Sequence, residues 1–164
     1  GIAVGCDGPP QVDPEVEKQA AAALRAAGAR MSEDGGHIGK IDFSGKKVSD
    51  EDLANIGKLP LLQQLLLRGS TFDDASLAHL TSLKQIGQIS LKESSVTDAG
   101  LEHIGKLSSL TQLDLEKTKI TDAGLEHLKG LKNLERLYLG GSTATSTGAI
   151  NLKEAIPDLS VSGP

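Results

Sequence analysis

At 164 residues and a net charge of −5, the chain offers one domain's length and an acidic balance that argues against nucleic acid or an anionic membrane as its main partner. One cysteine excludes an internal disulfide framework and a cysteine zinc set, and no apolar run is long enough to span a bilayer. Aromatics make up 2% of residues, so a recognition surface has little beyond Tyr138, the one aromatic outside the apolar columns described below.

The chain begins Gly1-Ile2-Ala3-Val4-Gly5-Cys6. Small and apolar residues leading into Gly-Cys resemble the end of a bacterial lipoprotein signal, where the cysteine is lipidated and the chain is cut before it. The charged start and most of the apolar core of such a signal are missing. Two readings stay open. In one, Cys6 carries a lipid and Asp7–Asp13 is a polar tether stiffened at Pro9 and Pro10. In the other, residues 1–13 are an ordinary disordered terminus with a stray cysteine.

A helix follows. Asp13 is a good N-cap, Pro14 suits the first helical position, and Glu15 and Glu17 sit near the positive end of the dipole. Val16, Ala20, Ala23, Leu24 and Ala27 form one narrow apolar stripe, which Gly28 and then Glu33-Asp34-Gly35-Gly36 bring to an end. Residues 14–37 are read as a capping helix and loop, because a stack of repeats exposes its first seam to water and needs a cover.

From Ile38 to about Leu159 the sequence repeats itself every 24 residues. One apolar column is Ile41, Leu65, Ile89, Leu113 and Leu137, and the next is Phe43, Leu67, Leu91, Leu115 and Leu139. Further columns run through Val48, Phe72, Val96, Ile120 and Ala144, and through Leu53, Leu77, Leu101, Leu125 and Ala149. A period this strict marks a solenoid. The pattern L-x-L-x-x-[T/S]-x-I-T-D-x-G-L-x-x-L resembles the leucine-rich repeat, in the bacterial variety with a T-D-x-G-L helix start. The resemblance implies an α/β solenoid of about five repeats over residues 38–164, with short parallel strands on a concave face and helices on a convex one. It also implies protein–protein recognition through the concave face.

Within each repeat three positions matter for order. Ser70, Ser94, Thr118 and Ser142 form a hydroxyl column suited to satisfying backbone groups of the turn that leaves each strand. Ser49-Asp50, Asp73-Asp74, Thr97-Asp98, Thr121-Asp122 and Thr145-Ser146 start the helices as N-caps, with the second residue near the dipole. Gly100, Gly124 and Gly148 are expected to let neighbouring backbones approach closely.

No G-x-S-x-G, phosphate-loop, H-E-x-x-H or dinucleotide fingerprint is present, and the chain is read as non-enzymatic and without a cofactor. His79, His103 and His127 lie 24 apart, but a ladder on a convex face diverges, and repeat copying explains the spacing without a metal. The concave face is the expected partner surface, and its outward positions are Lys40, Gln64, Gln88, Gln112 and Arg136; Asp42, Leu66, Ser90, Asp114 and Tyr138; and Ser44, Arg68, Lys92, Glu116 and Gly140. Arg68, Lys92, Asp114, Glu116, Arg136 and Tyr138 are the candidate partner-binding residues, with Arg136 expected near Asp114 and Leu66 as a small apolar spot beside Arg68. The expected partner is a protein met by a single copy of the chain, with the membrane reached only through a lipid at Cys6. That tether would place the chain in a cell envelope; without it a cytoplasmic module remains. The competing reading is a spacer or assembly module that uses its ends or convex helices and has no concave ligand.

Overall fold

A computed structural model of the chain describes residues 8–164, so Cys6 and the lipidation expected there lie outside the described residues. The N-terminal elements are α1 (Pro14–Ala26), β1 (Arg30–Asp34), β2 (His37–Asp42) and α2 (Asp50–Ile56). Next come β3 (Gln64–Leu66), a 3₁₀ helix (Asp74–Ser82), β4 (Gln88–Ser90) and α3 (Asp98–Ile104). β5 (Gln112–Asp114), α4 (Asp122–Glu126), β6 (Arg136–Tyr138), α5 (Ser146–Ala155) and β7 (Ser160–Ser162) complete the chain. Among the described residues all seven strands form one sheet in sequence order. From β2 to β7 the pairing is parallel, and the partners Ile41, Leu65, Ile89, Leu113, Leu137 and Val161 run across it in register. The period read from the sequence is therefore the strand register. The column leucines are buried between the sheet and the helices in one continuous core that reaches from Ala20 to Leu159.

The hydroxyl column does the work expected of it in part. Ser70 Oγ donates to the Phe43 carbonyl at 2.8 Å, and Thr118 Oγ1 to the Leu115 carbonyl at 2.7 Å. Ser94 Oγ accepts from the Val96 N–H at 3.4 Å, whereas the Ser142 hydroxyl is buried without a partner.

Ser49, Asp73 and Thr145 cap their own helices as expected, accepting from the N–H groups of Asp52, Ala75 and Gly148, but two helix starts are wired differently. Thr97 and Thr121 make no side-chain cap to their own helices. Their backbone N–H groups donate to Asp74 and Asp98 of the preceding repeat, at 3.1 and 2.8 Å, and their hydroxyls donate to the second oxygen of the same carboxylates. Thr145 repeats the arrangement on Asp122, with bonds of 2.7 and 2.6 Å. Each Asp thus bridges to the next repeat. Gly100, Gly124 and Gly148 follow from this, because a Cβ at any of them would collide with that same carboxylate. The close neighbour is an Asp side chain rather than the backbone; close backbone approach occurs instead at Gly57 and Gly105, against the carbonyls of His79 and His127. At the first junction Asp73 stands where threonine would donate, and Asp50 bonds to His79 Nε2 at 3.0 Å. At the last helix Ser146 stands in the aspartate's place.

The N-terminal cover is a helix plus a hairpin. The Asp13 carboxylate accepts from the N–H groups of Glu15 and Val16 at 3.0 and 3.3 Å. Of the stripe read from sequence, Val16, Ala23 and Ala27 stay exposed; the buried residues are Ala20, Ala21 and Leu24. Glu17 shares that face at i, i+3, i+4 and i+7, and it is turned inward because it has partners. Its Oε1 accepts from the Ile38 N–H at 2.8 Å and its Oε2 lies 2.9 Å from His37 Nδ1. After α1, β1 pairs antiparallel with β2 through a register shift at Ser32/Glu33. Gly35 and Gly36 make the turn with φ of +59° and +84°, the left-handed pair that a tight two-residue hairpin requires.

Candidate functional site

The strand pairs place Lys40, Gln64, Gln88, Gln112 and Arg136 in one outward row and Asp42, Leu66, Ser90, Asp114 and Tyr138 in the next, as the alternation of a strand dictates. Over the first four repeats most polar side chains of these rows are hydrogen-bonded, Lys40 and Gln112 being the exceptions. Arg30 Nη2 donates to Asp42 Oδ2 at 2.8 Å, and Gln64 Nε2 donates to Gln88 Oε1 at 3.0 Å. Arg68 Nε donates to Ser90 Oγ at 3.2 Å, and Ser90 Oγ donates on to Asp114 Oδ2 at 3.2 Å. The other Asp114 oxygen accepts the Glu116 N–H at 3.0 Å, and Lys92 Nζ meets Glu116 Oε2 at 2.6 Å.

The electrostatics follow this pairing. Burial pushes the Asp42 carboxyl up, but hydrogen bonds from Ser44 and the Arg30 guanidinium outweigh it and hold it below the usual carboxylate range. The hydrogen bond to Glu116, with its charge, holds the Lys92 ammonium above its ordinary value. Half-exposed pairs of this sort add little to stability, so their effect is mainly to fix side-chain positions.

One sequence expectation fails here. Leu66 is only 8% exposed, lying between Asp42 and Ser90 under a crowded concave row, so it offers no apolar spot to a partner. Asp114 is taken by Ser90 and by the Glu116 N–H, and Arg136 makes no ion pair with it. Arg136 is exposed and Tyr138 half-exposed, and neither side chain makes a hydrogen bond to another described residue. Arg68, Lys92, Asp114 and Glu116 are thus brought together as one polar network, while Arg136 and Tyr138 stand free beside it on β6.

Sequence reasoning missed the rim where the strands end. Glu93 and Lys117 take φ of +58° and +53°, at turn positions where neighbouring repeats carry the glycines Gly45, Gly69 and Gly141. They pair with each other at 3.0 Å, beside the Lys92–Glu116 pair. The signal was available: the two non-glycine residues interrupt a glycine column spaced 24 apart. The Glu93 carboxyl is held low by its hydrogen bond from Lys117.

On the convex side His79 faces Asp50, and His103 Nδ1 is buried without a partner. Among the described residues no group of three or more His, Cys, Asp or Glu is arranged to hold a metal ion, and no helix is long and apolar enough to cross a membrane.

No family model matches the chain, and no curated protein matches its sequence. Solved structures do match its shape. Internalin C2 of Listeria monocytogenes superposes with a TM-score of 0.63 at 22% identity, covering 91% of this chain and 62% of the internalin. The fold is that of the leucine-rich repeat. A leucine-rich-repeat protein of Leptospira interrogans matches with a TM-score of 0.53 at 22% identity, over 66% of this chain and 27% of its own. The leucine-rich-repeat ectodomain of the receptor kinase SOBIR1 from Arabidopsis thaliana matches over 93% of both chains, with a TM-score of 0.58 at 16% identity. The chain therefore spans only part of the two bacterial proteins, and all three likenesses concern the α/β solenoid architecture.

Proposed function

We propose that this leucine-rich-repeat chain is a non-enzymatic protein-binding module that docks its partner on the C-terminal half of the concave sheet. One observation carries the reading: Arg136 and Tyr138, the residue types that most often anchor interfaces, make no side-chain hydrogen bond among the described residues, like Lys40 and Gln112, and they lie side by side on β6 next to the Arg68–Ser90–Asp114 and Lys92–Glu116 network. The Arg68–Ser90–Asp114 chain and the Lys92–Glu116 pair form the polar rim that aligns the partner. The test is quantitative capture from the source lysate with Arg136→Ala/Tyr138→Ala, against a convex control, Lys153→Ala/Glu154→Ala. Loss of a specific bound protein with the concave variant alone is the expected outcome. Equal capture by the concave variant, with loss in the convex control, would favour the spacer reading instead.

The location belongs to the same proposal. In this reading a lipid on Cys6 holds the module at a bacterial envelope, supported by the Gly1–Cys6 sequence. Intact mass of the membrane-fraction protein, expressed from its natural start, should show a diacylglyceryl adduct on Cys6. An unmodified chain sinks the tether and leaves the concave reading intact.

A further inference from the structure

The chain is acidic overall, yet its concave face has the opposite sign. The three outward rows, with Arg30 seated on Asp42, carry five cations against three acids, in a chain of net charge −5. Three of those cations are spent within the face: Arg30 on Asp42, Arg68 on Ser90 and Lys92 on Glu116. The two left without a side-chain partner among the described residues are Lys40 and Arg136. They stand at the two ends of one row, Lys40, Gln64, Gln88, Gln112 and Arg136.

Between those ends the row is neutral. Gln64 Nε2 donates to Gln88 Oε1 at 3.0 Å, which leaves Gln64 Oε1 and Gln88 Nε2 free among the described residues. Beside the middle of the row opens a hollow of about 570 Å³, lined by Gln63, Gln64, Gln85, Gly87, Gln88 and Thr111. It exists because the 24-residue column through Gln63, Gly87 and Thr111 has no side chain at its middle member. A Cβ on Gly87 would meet only the Gln63 carbonyl and Thr111 Oγ1, both at 3.8 Å. Each amide offers donors and an acceptor, so the lining suits another amide or a hydroxyl, groups that also do both.

Granting Arg136 and Tyr138 as partner anchors, on which this rests, we propose that the row takes an extended, neutral-polar segment of the protein partner with an acidic residue at each end. One carboxylate meets Lys40 and the other Arg136, pairs that the chain itself leaves unmade. Four strand steps separate the two cations, roughly 19 Å. An extended segment rises about 3.3 Å per residue, so side chains at i and i+6 span about 20 Å. Being an even number apart, they fall on one face, and those at i+2 and i+4 also face the sheet, over the glutamines and the hollow. The segment crosses the strands and needs no sheet edge. Two cations this far apart, with amides between them, do not make the continuous basic stripe that a phosphate backbone rewards.

The probe is a heptapeptide blocked at both ends, Glu-Ser-Gln-Ser-Gln-Ser-Glu, titrated into the isotope-labelled full chain and followed by amide chemical shifts. The amides of Lys40, Gln64, Gln88, Gln112 and Arg136 should move together along one binding curve. Replacing both peptide acids by Gln should weaken binding about tenfold, and Lys40→Ala about threefold. A shorter peptide with its acids four residues apart, Glu-Ser-Gln-Ser-Glu, reaches only one cation and should also bind about threefold more weakly. Gly87→Leu fills the hollow at a position free of left-handed φ and of close contacts, so it should weaken binding while leaving Tm unchanged.

No shift along the row at millimolar peptide would overturn the proposal, as would equal affinity for the longer and shorter peptides. So would wild-type affinity retained by both Lys40→Ala and Gly87→Leu. Capture from the source lysate separates this from the reading beneath it. Capture lost with Arg136→Ala/Tyr138→Ala but untouched by Lys40→Ala and Gly87→Leu would leave the concave reading standing and remove only the acidic segment. Capture indifferent to Arg136 and Tyr138 would remove both.

Discussion

The two ends of this solenoid solve the same problem in opposite ways. A stack of repeats exposes a seam and a strand edge wherever it stops. At the first repeat a helix and a hairpin cover both, and Glu17 ties the helix to the Ile38 N–H and to His37. At the last repeat the seam narrows instead, with Ala144 and Ala149 in columns that elsewhere hold larger residues, so that Leu152, Ile156 and Leu159 are buried without a further layer. Among the described residues no strand lies beyond β7, and Arg136 and Tyr138 stand one strand in from it.

The interior sets the scale for testing that contrast. Leu115→Ala, in the fully buried seam between the ends, should cost about 2–5 kcal/mol and lower Tm by several degrees, read by thermal denaturation. Val161→Ala at the open end should cost less than half as much. Equal losses would mean that the β7 end is packed like the middle.

The bridge between repeats comes next. Gly124→Ala drives a methyl into the Asp98 carboxylate and should cost about 1–3 kcal/mol, whereas Gly130→Ala, with open space around it, should stay within about 0.5 kcal/mol. Similar values for the two would dismiss the Asp–Thr ladder as a structural element. At the N-terminal cover, Glu17→Ala leaves the Ile38 N–H without its acceptor beside a residue that is almost fully buried. A loss of about 1–3 kcal/mol is expected, with faster amide exchange confined to α1 and the hairpin.

Acid should act on the ladder as well. Hydrogen bonds from Thr145 hold the Asp122 carboxyl low, and those from Ser76 and His79 do the same for Asp50. A depressed folded pKa contributes stability that is fully present above the unfolded value of about 3.9 and is lost as pH falls through the folded value. Tm should therefore be flat down to about pH 5 and drop below about pH 4. Thr145→Val should shrink that drop, and an unchanged acid limb would contradict the assignment. The smallest effect is expected at the rim: Glu93→Gly relieves a left-handed backbone at the cost of an exposed ion pair and should raise Tm by about 1–3 °C.

How far the sequence carried is clear from where it stopped. The apolar columns were legible because each recurs in every repeat, and the register of the sheet is the same 24-residue step. The inward face of α1 was misread because its first member is Glu17, a charge that burial patterns place outside. β1 escaped notice because Arg-Met-Ser-Glu-Asp has no apolar alternation, although Asp34-Gly35-Gly36 was a hairpin signal. Thr97 and Thr121 were taken as caps of their own helices, as Thr145 is, because nothing in one repeat reveals that the carboxylate they serve belongs to the repeat before. On the concave face the rows could be assigned, but not which side chains would satisfy one another. That pairing decides which residues are left for a partner.

The contrast between the ends is most directly measured by residue-resolved amide exchange on this chain. The account predicts that the Val161 amide, which alternates with the Ser160 amide bonded to the Glu135 carbonyl beside β6, exchanges quickly, while the Ile38 amide held by Glu17 exchanges slowly. A protected Val161 amide, or an Ile38 amide that exchanges as fast, would contradict it.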